Sequence, residues 1–166
     1  MSVRQERMPG SADPGGEIME PTYDGADLIH LADRPGTSGH SVVIRIRDSL
    51  SGDGYLECEI AVTAESLNAT FRAVVTPEDL EEWETVLETL ASRRHAGWLG
   101  GGRVPSMRFR PDGHDRMAVT VHDAPASGVT VTVPLFALPS GWVDAQRALL
   151  ARARETNPRG TGGTAP

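Results

Sequence analysis

His30 and Asp33 stand three residues apart near the end of a short apolar run, and an imidazole beside a carboxylate is a pairing that can pass a proton near neutral pH. They are the pair in this sequence best placed for acid–base work, although a polar cluster closing a strand accounts for them equally well. The other histidines, His40, His95, His114 and His122, show neither the i, i+4 helical spacing nor the cysteine company of a metal site. No metal ligands and no cofactor are expected. Cys58 is the single cysteine, so no internal disulfide can form; between Leu56 and Ile60 at period-two spacing it reads as a small buried hydrophobe rather than a nucleophile. Gly97-Trp-Leu-Gly-Gly-Gly-Arg103 has the glycines of a phosphate cradle, but it lacks a Gly-Lys-Ser/Thr ending and comes after a helical pattern, so it reads as a flexible loop. Without a Gly-x-Ser-x-Gly motif no catalytic serine can be named, and a binding module is a better reading than an enzyme.

The remaining chemistry is charge and aromatic surface. From Thr76 to Arg94 six acids and two arginines leave a net −4 out of the −7 of the whole chain. Glu78, Glu81, Glu82 and Glu88 fall mostly off the apolar stripe of that segment, and they are candidate contacts for a cationic protein. A merely solvated helix face is the plainer reading. Trp98, flanked by glycine, is added to the candidates because an exposed tryptophan beside a flexible loop would anchor an interface. Packed, it would plug the end of a sheet. A second function class is a small-molecule binder or minor enzyme whose pocket lies near the Gly97–Arg103 loop, lined by His30, Asp33 and Trp98. Self-association through a sheet edge is a third.

These residues need elements to position them. Val42, Ile44 and Ile46 alternate with arginines, Leu56 to Val62 with glutamates and Thr63, and Leu67 to Val75 with Asn68, Thr70 and Arg72, each a strand with one buried face. Short turns make them an antiparallel meander, led by a short strand over Leu28 to Ala32. Matching apolar faces sets Ile46 opposite Cys58, Arg45 opposite Glu59 and Arg47 opposite Glu57, and a four-residue second turn would place Glu57 beside Arg72. Thr76 then caps a helix over about 77–94, with Pro77 in its first turn, Leu80, Trp83, Val86, Leu87 and Leu90 inward, and Arg93 and Arg94 at its end. Met107 and Phe109, Met117 to Val121, and Val129 to Val133 form a second meander, and a closing helix spans about 141–155. The fold class is α+β: an antiparallel sheet of two meanders, a cover helix between them and a C-terminal helix.

The organisation expected is a tail over 1–26, one domain over 27–155 and a second tail over 156–166, because the ends are rich in Pro, Gly and Ser and poor in apolar side chains. A net −7 and a pI near 5.2 argue against nucleic-acid or anionic-membrane partners. With no signal-like segment and no apolar run of spanning length, the cytoplasm is the expected location.

Asp27-Leu-Ile-His-Leu-Ala-Asp33, Ser41-Val-Val-Ile-Arg-Ile46, the Thr76-Pro-Glu-Asp-Leu-Glu-Glu-Trp83 helix, Gly97-Trp-Leu99 and Gly141-Trp142 occur in this order over about 27–155. In that combination the chain resembles the DUF5959 family of small actinobacterial proteins. The resemblance implies a shared fold and a bacterial setting, but it carries over no activity and no site residues. The layout is also similar to that of small bacterial immunity proteins that neutralise toxins.

Overall fold

The computed structural model of the protein describes residues 26–50 and 52–158. Their elements run in the order β1 (Asp27–Ala32), β2 (Ser41–Leu50), β3 (Tyr55–Ala64), β4 (Leu67–Val75), α1 (Pro77–Ala91), β5 (Ala96–Trp98), β6 (Ser106–Pro111), β7 (Met117–His122), β8 (Thr130–Leu135) and α2 (Trp142–Thr156). The two meanders are separate antiparallel sheets of four strands each, β1-β2-β3-β4 and β5-β6-β7-β8. The expected tails lie almost wholly outside the described residues, but α2 continues through Thr156.

Alternation decides which side chains turn inward. Val42 and Ile44, Leu56, Cys58, Ile60 and Val62, and Phe71, Ala73 and Val75 are buried on the first sheet, and Met107, Phe109, Met117, Val119, Val121, Val131 and Val133 on the second. Together with Leu80, Trp83, Val86, Leu87 and Leu90 of α1 and Leu150 and Ala153 of α2 they form one core cluster. α1 lies against β5 and α2, α2 against β1, and β8 approaches β2 and β3, so the helices and the last strand tie the two sheets together.

The first sheet matches the expected pairing at Ile46 with Cys58 and Arg45 with Glu59. Two pairings are corrected. A bulge after Ile46 sets Asp48, not Arg47, opposite Glu57, and Arg47 instead reaches Glu59 with Nη2 2.6 Å from Oε1. The β3–β4 turn has two residues, Glu65 and Ser66, rather than four, which moves Arg72 opposite Glu59 and leaves Val74 opposite Glu57. The Gly97 segment is corrected too: Ala96–Trp98 is an edge strand paired with β6, and the loop begins only after Trp98.

α1 starts as its sequence dictates. The Thr76 hydroxyl accepts from Asp79 N–H at 3.2 Å and the Asp79 carboxylate accepts from Thr76 N–H at 2.8 Å, a capping box ahead of Pro77. It ends at Ala91, three residues before the expected end, because Arg93 enters the left-handed region at φ 56°. Neither Arg93 nor Arg94 lies in the last turn, which holds no basic residue.

β1 leaves one edge of the first sheet open, and α2 covers it through a polar residue on its apolar side. Gln146, 1% exposed, accepts from His30 N–H at 2.9 Å and donates to His30 C=O at 2.8 Å, as a neighbouring strand would. Gln146→Leu keeps the volume but leaves both backbone groups without their partner. Urea unfolding is expected to show a loss of about 2 kcal/mol.

Candidate functional site

The acidic face of α1 is held rigidly by the opposite face of the same helix. Trp83, Leu87 and Leu90 are at most 2% exposed, while Glu78, Glu81, Glu82, Glu84 and Glu88 all stand exposed. Glu84 pairs with Arg154 of α2, Nη1 to Oε2 at 3.0 Å. Arg93 turns away from the helix end and donates to His114 Nδ1 at 2.6 Å. Arg154 thus offsets the charge of Glu84 midway along the face, while the C-terminal end of the helix lacks the cations the sequence suggested for it. Near its N-terminal end a groove of about 250 Å³ runs between the helices, lined by Pro77, Leu80, Glu81, Arg154, Asn157 and Gly54.

Trp98 is not part of that surface. It is 1% exposed, its ring lies 5.1 Å from that of Trp83, and its indole N–H donates to the Asp79 carbonyl at 2.8 Å. An accessible Trp98 is thus corrected to a core residue that fastens β5 to the first turn of α1. The physical reason is that β5 pairs with β6, which turns Trp98 to the inner face beside Met107.

His30 and Asp33 do not form an acid–base pair. The His30 ring places Nδ1 2.8 Å from Asp27 Oδ2, within β1, and Arg45 Nε lies 3.5 Å from Oδ1 of the same carboxylate. Asp33 is given over to the chain: Oδ1 accepts from Ala137 N–H at 2.9 Å, and Oδ2 from Phe136 N–H at 3.1 Å and from the Ser38 hydroxyl. Both residues border a cavity of about 150 Å³ together with Trp142, Pro139, Leu138 and Gln146. Trp98 does not line it, so the three residues expected around one pocket do not converge.

The other histidines are dispersed. His40 Nδ1 donates to the Pro134 carbonyl at 2.7 Å, His122 Nδ1 lies 2.7 Å from Thr130 Oγ1, and His95 is exposed. Among the described residues no three His, Cys, Asp or Glu side chains group as metal ligands. No helix among them is long and apolar enough to cross a membrane.

Burial, and after it the charge of Glu57, pushes the Cys58 thiol up from 9.0 to about 12. The folded state therefore holds this proton more tightly than the unfolded chain. The stability contributed is complete below about pH 9 and is lost as pH rises toward 12. Two outcomes are expected: a thiol reagent at pH 8 labels the native protein only as fast as it opens and the urea-unfolded chain at once, and Cys58→Ala flattens part of the alkaline fall in stability.

Asp123, by contrast, is held below the ordinary carboxylate range by the Ser127 hydroxyl, which donates to Oδ2 at 2.6 Å in the turn before β8. That is a turn closure rather than a site.

Sequence reasoning missed Gln146, His40 and the role of Asp33. Gln146 had a signal, a polar side chain within the inward line of Trp142, Leu149 and Leu150. The backbone partners of Asp33, Phe136 and Ala137, lie more than a hundred residues away and had none.

No curated protein and no solved structure matches the chain. A family model does, over residues 26–158, spanning both sheets and both helices. On that match the chain belongs to the family of unknown function DUF5959.

Proposed function

We propose that the protein is a non-enzymatic interaction module of the cytoplasm that docks a basic protein on the outer face of α1, as a regulatory adaptor or in an immunity-like role. The observation that carries this reading is the row of exposed glutamates on a helix whose opposite face is locked into the core, with no basic residue in its last turn. A rigid, predominantly acidic face needs little ordering on binding and steers a cation-rich partner by its field. The groove beside Leu80 and Glu81 gives such a partner an apolar foothold next to charge.

Charge reversal tests it. The intact tagged protein and its Glu81→Lys/Glu82→Lys/Glu88→Lys variant are used to capture proteins from host lysate at low and high salt. At low salt the wild type retains a basic protein, high salt releases it, and the variant retains at least about tenfold less. The substitutions are exposed, so the free energy of unfolding of the variant, read from urea denaturation, stays within about 0.5 kcal/mol of the wild type. Equal retention by both forms, or retention of no basic protein, defeats the proposal.

A further inference from the structure

The arginines of the two sheets differ in their company. On the first sheet Arg45 lies 3.5 Å from Asp27 and Arg47 2.6 Å from Glu59. On the outer face of the second, Arg108 and Arg110 of β6 and Arg116 ahead of β7 make no ion pair with any described residue. On a chain of net charge −7, unpaired cations gathered at one end of a sheet form a local reversal of sign.

The register then makes a hollow beside two of them. Arg110 pairs with Ala118, and Ala118 with Pro134, so the smallest side chain of that row stands between two larger ones. Just past the ends of the two strands lie Arg116, ahead of β7, and Phe136, after β8. The result is a concavity of about 420 Å³ bordered by His95, Arg110, Arg116, Ala118, Pro134 and Phe136, with Asp112 as the acid on its rim. That volume lies in the range of about 300–1,000 Å³ usual for small-ligand sites.

Phe136 gives the hollow a definite wall. It is 46% exposed, yet it is not loose. Its N–H donates to Asp33, and its ring rests 5.6 Å, centroid to centroid, from that of His40, whose Nδ1 in turn holds the Pro134 carbonyl. Asp33 and His40 are 7% and 9% exposed. Two buried polar side chains thus fix an aromatic ring that remains half in solvent beside two unpaired guanidinium groups.

We propose that this concavity binds a small aromatic anion, its ring against Phe136 and Pro134 and its carboxylate or phosphate ester taken by Arg110 and Arg116. Guanidinium forks match both anions in a plane, and an exposed aromatic face offers the ring a stacking partner. The hollow is distinct from the α1 face and independent of what docks there.

The test is an amide-resolved NMR titration of the intact protein with benzoate, phenyl phosphate and neutral benzamide. Saturable shifts concentrated at Arg110, Ala118, Leu135 and Phe136 are expected with one or both anions, and the better of the two names the anion class. Benzamide should bind at least about tenfold more weakly, as should the anion to Arg110→Gln, Arg116→Gln and Phe136→Ala. Arg108→Gln, on the same face but outside the hollow, should leave affinity within about twofold. The arginine variants alter exposed positions, so they report even if Phe136→Ala fails to fold. The proposal is overturned if neither anion saturates, if benzamide binds as well as the better anion, or if Arg108→Gln weakens binding as much as Arg110→Gln.

Discussion

Trp83→Ala is expected to lower the free energy of unfolding by about 3–5 kcal/mol, read from urea denaturation. Trp83 is fully buried at the meeting point of α1 and the second sheet, with its ring 5.1 Å from that of Trp98 and 5.3 Å from that of Phe109, each tilted by nearly 50°. Truncation removes the apolar body, opens a cavity and loses two tilted aromatic contacts worth about 0.5–1.5 kcal/mol each beyond their area. Trp83→Phe separates the causes. The Trp83 indole N–H is buried without a hydrogen-bond partner, so phenylalanine removes an unsatisfied donor while keeping most of the volume. It should cost less than half of what alanine does. If both variants cost the same, the packing of the aromatic trio is not what stabilises this region.

Asp33→Ala is expected to cost about 2–4 kcal/mol. One carboxylate accepts from two consecutive backbone N–H groups, Phe136 and Ala137, and from Ser38, and so joins the β1–β2 loop to the segment after β8. Alanine leaves the buried Ala137 N–H and the Phe136 N–H beside it without a partner. Hydrogen exchange localises the effect: the Phe136 and Ala137 amides should lose protection, while the β2–β3 ladder keeps its own until global unfolding. Asp33→Asn, which retains one acceptor oxygen, should fall between. Unchanged exchange at both amides would show that the carboxylate does not hold this junction.

The strands that bury one face were legible, so Leu56 to Val62 and Met117 to Val121 carry period two in plain view, whereas Val42, Val43 and Ile44 are buried in succession and hide it. The start of α1 was legible in Thr76-Pro77 for the same local reason. What the sequence concealed was decided by partners far along the chain or by turn geometry. Residues Glu65 and Ser66 form a two-residue turn, and that alone moved Arg72 from Glu57 to Glu59. Gly97 and Trp98 sit among glycines that suggest a loop, yet β6 supplies an edge for them to pair with. Asp27 and Asp33 both stand three residues from His30, and the sequence did not show that Asp33 is taken up by Phe136 and Ala137 far along the chain, which leaves Asp27 to meet the His30 ring. The glutamates of α1 were fully legible as an exposed face, since amphipathicity is a local property; the loss of Arg93 to His114 was not, because it depends on the β6–β7 turn.

The acidic face of α1 as a steering surface is tested most directly by kinetics. The association rate of the captured basic protein with the intact wild type and with the Glu81→Lys/Glu82→Lys/Glu88→Lys variant would be measured by stopped-flow mixing across ionic strength. The wild-type rate should fall at least about tenfold from low salt to physiological salt, and the variant should be slow at low salt and nearly flat throughout. Wild type and variant associating at the same rate, with the same dependence on salt, would contradict the account.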